Sequence, residues 1–134
     1  MNILLCAIVW SVAILFVLIA VQATSGISNN GMKWGFGARD SSKDDTMFQA
    51  RTKRTVANHI EGMLLFVPLA LVAYALKLDG DMIVKGAWLY LIARALYPLT
   101  YWTGLPYART LVWFVSIVGT AMIFFQIVTS GTAA

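Results

Sequence analysis

The chain has 134 residues, 60% of them hydrophobic and only 12% charged, and its mean hydropathy is +0.76. A water-soluble domain of this length needs a polar shell, and this composition excludes one. The net charge of +4 invites a nucleic-acid reading, but the charges are placed for a lipid bilayer and no nucleic-acid partner is expected.

The first apolar run is Ile3 to Val21. About 20 residues cross roughly 30 Å of hydrocarbon as a helix, so a span over about 2–23 is predicted. Val21-Gln22-Ala23 would suit a signal peptidase. However, no Lys or Arg precedes the run, which is longer than a leader core, so a retained span is expected. The lone cysteine, Cys6, gives no internal disulfide and no thiolate metal cluster, and reads as a small packed residue.

A loop from Thr24 to about Thr46 follows, rich in Gly, Ser, Asn and Asp. Within "GMKWGFGARDSSKDD", Trp34 and Phe36 suit a membrane interface. Asp40, Asp44 and Asp45 read as solvated, without the tight spacing of a calcium loop.

The second helix is predicted over about 47–76. Its apolar part, Gly62 to Leu76, is only about 22 Å long at 1.5 Å per residue. The preceding turns must therefore be immersed too, which puts Asn58 and Glu61 at membrane depth and Arg51 and Arg54 at its boundary. At 100° per residue these four fall within an arc of roughly 80°, one polar stripe. His59 lies beside the stripe, and a lone His without ligand partners reads as packing rather than metal binding.

A third helix is predicted over about 82–103, apolar except for Arg94. Tyr90, Arg94, Tyr97 and Tyr101 share one face, and Pro98 frees the carbonyl of Arg94 and favours a kink. Gly104-Leu105-Pro106 reads as a tight turn with Pro106 starting the fourth helix, about 106–129. Arg109 and Thr110 follow at once, and "SGTAA" reads as a frayed end. Trp88, Trp102 and Trp113 suit lipid-facing or packing positions.

The fold class is thus an all-α integral membrane bundle of four helices, one domain over residues 1–134. The helix 1–2 loop and the helix 3–4 turn share one side with Lys33, Arg39, Lys43, Arg51, Lys53, Arg54, Arg94 and Arg109. Only Lys77 and Lys85 lie on the other. The positive-inside rule turns the first side to the cytoplasm and both termini away from it. Four arginines (51, 54, 94 and 109) face one membrane-depth carboxylate, Glu61. An ion on a membrane helix costs about 2.5–3.5 kcal/mol at its centre, so such groups pair or line a wet site. Glu61 is able to neutralise Arg54 or Arg94 in a purely structural network. The surplus of arginine instead asks for an anionic ligand with more than one carboxylate or phosphate.

The stretch Arg51-x-x-Arg54-x-x-x-Asn58-x-x-Glu61 resembles the helix 2 signature of the MAPEG superfamily, the membrane-associated proteins of eicosanoid and glutathione metabolism. Arg94-x-x-Tyr97-x-x-x-Tyr101 followed by Arg109 resembles its helix 3–4 pattern, and Gly37-Ala38-Arg39-Asp40 is similar to a short bacterial subgroup. The resemblance covers about residues 35–128. It implies a homotrimer with glutathione, as co-substrate, bound between subunits near the cytoplasmic face. Arg51 and Arg54 would hold the carboxylates, and Asn58 and Glu61 the peptide backbone and γ-glutamyl amine. Arg94, Tyr97 and Tyr101 complete the binding set. Arg109, with the Thr110 hydroxyl beside it, would stabilise the thiolate. Ser116, Gly119 and Thr120 are small enough to serve close packing at a trimer contact.

Two departures stand out. Gly62 replaces an aromatic that some members carry, and the spacing from Tyr101 to Arg109 differs by about one residue. The expected function is a glutathione-dependent transferase or peroxidase acting on a lipophilic small molecule that enters from the bilayer. The alternative is a non-catalytic lipid- or anion-binding membrane scaffold. A transporter working through Glu61 is disfavoured, because it needs a carboxylate that alternates between the two sides and this one stands among a surplus of arginines.

Overall fold

The computed structural model describes residues 1–131, which fold as five helices: α1 Ile3–Asn30, α2 Met32–Phe36, α3 Met47–Ala75, α4 Asp81–Trp102 and α5 Pro106–Gly131. Helices α1, α3, α4 and α5 are each long and apolar enough to cross a membrane. The protein is a four-helix integral membrane bundle, and the side chains on its outside, among them Phe16, Leu64, Ile92 and Phe124, are exposed as a lipid-facing surface demands.

Sequence chemistry sets the helix ends. The Asn2 side chain accepts from the Leu4 amide at 2.8 Å and opens α1, and the Thr46 hydroxyl accepts from the Gln49 amide at 3.1 Å and opens α3. Two helices close with the same paired bonds. After α3, the amides of Lys77 and Leu78 donate to the carbonyls of Tyr74 and Ala73 at 3.0 Å each. After α4, the amides of Gly104 and Leu105 donate to Tyr101 and Thr100 at 3.1 Å each. The pattern needs a left-handed residue, supplied by Lys77 at φ 55° and Gly104 at φ 77°. Pro106 is the first residue of α5, as the turn predicts. Both Pro68 and Pro98 lie inside continuous helices.

Helix α1 corrects one expectation, since it runs to Asn30 rather than stopping near Ala23. Its polar last turns are held from two sides. Thr24, Ser25 and Asn30 donate back to the carbonyls of Ala20, Gln22 and Gly26. The Asn29 amide donates to the Gln49 side chain at 2.9 Å, and the Ser25 and Thr52 hydroxyls share a bond of 3.2 Å, both reaching α3. The short α2 was not predicted either. Trp34 tucks against Gly26 and carries the Arg39 guanidinium 4.9 Å from its ring, while Phe36 is exposed. Asp45 is no free loop carboxylate, because it pairs with Lys53 at 2.7 Å. Of the expected frayed end, Ser130 and Gly131 are helical, and residues 132–134 lie outside the described residues.

The apolar core joins all four spans through Leu4, Ala7, Phe66, Ala70, Ala73, Ile83, Ala87, Tyr90 and Ile123. Lipid tails are as apolar as these side chains, so association rests on close fit and interhelical hydrogen bonds. The Phe66 and Tyr90 rings stack at 3.7 Å and 2°. Gly86 and Gly119 bring α4 and α5 together so closely that a Cβ on either would come within 2.6 Å of the other's carbonyl oxygen. Ser116, Gly119 and Thr120 are all buried. Packing inside this one bundle already buries them.

Candidate functional site

One end of the bundle gathers the polar residues. There the start of α3 meets the end of α4, because Arg51 donates to the Trp102 carbonyl at 3.3 Å. The helix 1–2 loop and the α4–α5 turn therefore lie at the same end. On α3, residues 54, 57, 58 and 61 face α4 and α5 and help to wall an open hollow of about 400 Å³. Tyr97 and Tyr101 come from α4, and Arg109, Thr110 and Trp113 from α5. The distance along α3 from Arg54 to Glu61 is about 10.5 Å.

Seven residues expected from the sequence meet in this one hollow: Arg54, Asn58, Glu61, Tyr97, Tyr101, Arg109 and Thr110. The Arg109 guanidinium lies 4.7 Å from the Tyr101 ring centre, and Tyr97 meets Tyr101 edge to face at 5.8 Å. The aromatic pair makes an apolar floor with a cation fixed above it. The Thr110 hydroxyl donates to the Pro106 carbonyl at 3.1 Å, which leaves its lone pairs to accept. Among the described residues, ion pairs join Lys53 to Asp45 and Lys85 to Asp81. Among the described residues no ion pair joins Glu61 to Arg54 or Arg94. The acceptor-only Glu61 and the donor-only Arg54 thus line the same hollow from α3.

Two expected residues sit differently. Arg51 lines an adjoining hollow of about 140 Å³ with Thr100, Gly104, Leu105 and Pro106, and that hollow shares Tyr101 and Arg109 with the first. Its bond to the Trp102 carbonyl also ties down the end of α4. Arg94 is fully buried and stands behind the wall, donating through Nη1 to Asn58 Oδ1 at 2.7 Å and to the Asn58 carbonyl at 3.3 Å. It reaches that place over Gly62, where any Cβ would collide with the guanidinium. A side chain at position 62 would have to displace the guanidinium from this place.

Two residues bordering the site were read incompletely from sequence. Trp113 completes the wall of the main hollow, and its position one turn after Arg109 on the same helix was the available signal. His59 turns away, buried, with Nε2 2.9 Å from the Ser11 carbonyl oxygen on α1. It joins two helices, in line with the packing role its isolation suggested. Trp102 packs on Phe48 with ring centres 6.1 Å apart, while Trp88 faces outward.

Comparison with known proteins adds one finding. No curated protein and no solved structure matched the chain. The MAPEG family model, however, matches residues 7–129, which take in nearly the whole of the four spans and every residue of the site. The chain belongs to the MAPEG family.

Proposed function

We propose that the protein is a glutathione-dependent transferase or peroxidase of the membrane. Family membership supports glutathione-related or eicosanoid-related chemistry in general. The observation that carries the narrower reading is the shared hollow, in which Arg54, Asn58, Glu61 and Arg109 converge from α3 and α5 over two tyrosines. Glutathione has two carboxylates, an ammonium, peptide groups and a thiol, so it needs this mixed set. Arg54 takes a carboxylate and Glu61 the ammonium. Arg51 holds the second carboxylate from the adjoining hollow. Tyr97 and Tyr101 pack against the peptide.

Arg109 then acts on the sulfur. A guanidinium cannot lose its proton at neutral pH, so it stabilises the thiolate by charge and hydrogen bond, and the thiol proton leaves to water. In a transfer, the thiolate lone pair forms a carbon–sulfur bond and a leaving group departs or a double bond is consumed. In a peroxidase cycle, a hydroperoxide is reduced to an alcohol and water while two glutathiones become the disulfide. The lipophilic partner enters from the bilayer beside Trp113. A homotrimer would cover the open side of the hollow with a neighbouring copy. By the positive-inside rule, this end of the bundle faces the cytoplasm.

The test is the ultraviolet difference spectrum of purified, detergent-solubilised protein titrated with glutathione near neutral pH. A saturable thiolate band, lost in Arg109→Leu while glutathione still binds, is the expected result. Saturable binding without the band would make the protein a non-catalytic anion-binding scaffold. An absence of binding would overturn the glutathione reading itself.

A further inference from the structure

Arg94 is the charged residue of the site that lines neither hollow. It is 2% exposed, and among the described residues no carboxylate lies within ion-pairing distance. Its Nη1 is spent on both oxygens of Asn58. A guanidinium carries donors only, so the side-chain atom of Asn58 that meets it must be the oxygen. The amide nitrogen is then turned the other way, and Asn58 itself lines the hollow. Reversing the amide would set NH₂ against NH₂ and leave the buried cation only its longer bond to the Asn58 carbonyl at 3.3 Å, which carries a desolvation penalty. Gly62 makes the seat, since every other residue puts a Cβ into the guanidinium.

We propose that Arg94, seated on Gly62, is a positioning residue that locks the Asn58 amide with its NH₂ toward the hollow. The hollow thereby takes an acceptor of the ligand at that point and refuses a donor. For the identity of that acceptor the proposal rests on the glutathione reading. Asn58 stands between Arg54 and Glu61 along α3, so the group it meets is a peptide carbonyl, between a carboxylate at one end and the ammonium at the other. Arg94 acts only through Asn58 and does not touch the ligand.

The orientation is tested without any ligand. The chain has four asparagines (2, 29, 30 and 58), so ¹⁵N-asparagine labelling in detergent micelles gives a short spectrum, with Asn58 assigned by its loss in Asn58→Ala. A water-soluble paramagnetic agent is expected to broaden the Asn58 NH₂ signal in the wild type. A signal that stays sharp would overturn the proposal. Glutathione affinity by equilibrium dialysis tests the coupling. Arg94→Met and Asn58→Ala should each weaken binding about tenfold, and the double variant no more than Asn58→Ala alone. Losses that multiply, or an Arg94→Met variant that binds normally, would overturn the proposal.

Asn58→Asp guards against misfolding. It gives Arg94 a buried carboxylate partner but removes the NH₂, so thermal stability in detergent should hold or rise while affinity falls by more than tenfold. A merely structural role for Arg94 would leave affinity following stability. If the wild type bound no glutathione, the function reading would fall, and the paramagnetic broadening would still decide the orientation.

Discussion

The Arg109 guanidinium lies 4.7 Å from the centre of the Tyr101 ring, and these are the two residues that both polar hollows share. The ring thus lies against the Arg109 cation at the junction between the main hollow and the one that contains Arg51. A cation over an aromatic face is worth about 0.5–2 kcal/mol, depending on how far it is desolvated. Tyr101→Phe keeps the face, so thiolate formation should stay within about twofold of wild type. Tyr101→Leu removes it, and the glutathione-dependent rate should fall by about threefold to thirtyfold. Equal rates for the leucine and phenylalanine variants would show that the ring does not hold Arg109 in place.

Arg51 and Arg54 read alike in the sequence, three residues apart on one stripe, but they do different work. Arg54 lines the main hollow, whereas Arg51 donates to the Trp102 carbonyl and lies against Gly104. Arg54→Gln should weaken glutathione binding by about tenfold or more with little change in thermal unfolding, since it removes a charge-assisted bond to ligand alone. Arg51→Gln should lower both, with about 0.5–1.5 kcal/mol of stability lost from the end of α4. Dialysis binding and thermal unfolding of the two variants, side by side, check the split.

Much of this architecture is legible because hydrocarbon leaves few choices. Three apolar runs of sufficient length and a shorter one extended by its polar turns become four spans, so the places of Arg54, Asn58, Glu61 and Tyr97 on helix faces, and of Arg109 just after the turn, were legible in the sequence. What spacing does not carry is depth behind a face. Tyr97 and Arg94 share a face of α4, yet Tyr97 meets the hollow and Arg94 sits behind Asn58, because a glycine on another helix opens the space. The last turns of α1 were hidden for a related reason. Thr24 to Asn30 is a loop composition, held helical by partners on α3 that lie 20 and 27 residues away.

The two matched helix ends offer a direct comparison of residues. Lys77 at φ 55° and Gly104 at φ 77° close α3 and α4 with the same paired bonds. Only glycine adopts this conformation without a Cβ penalty. Lys77→Gly, far from the site, should therefore stabilise the protein by about 0.5–1 kcal/mol, while Gly104→Ala should destabilise it by about 1 kcal/mol or more. The alanine at 104 would also crowd Arg51, where the built Cβ lies 3.2 Å from its guanidinium nitrogens. Thermal unfolding in detergent should move in opposite directions for the two variants, and glutathione binding should change only for Gly104→Ala.

Gly119 decides between packing inside the subunit and packing between subunits. Its stripe with Ser116 and Thr120 suits a contact between copies by composition, but the built Cβ would lie 2.6 Å from the Gly86 carbonyl oxygen and 2.8 Å from the Tyr90 amide nitrogen. Both are backbone atoms of α4 in the same chain, and neither can move aside as a side-chain tip would. Gly119→Val should therefore force α4 and α5 apart and cost about 1–3 kcal/mol or more, the range for overpacked cores. Because Tyr90 stacks on Phe66, the disturbance should reach α3 as well. The expected outcome is a lower unfolding temperature in detergent, with weaker glutathione binding in parallel, at every protein concentration. A variant that kept its fold and lost only its assembly, as judged by mass in detergent, would instead put this stripe at a subunit contact.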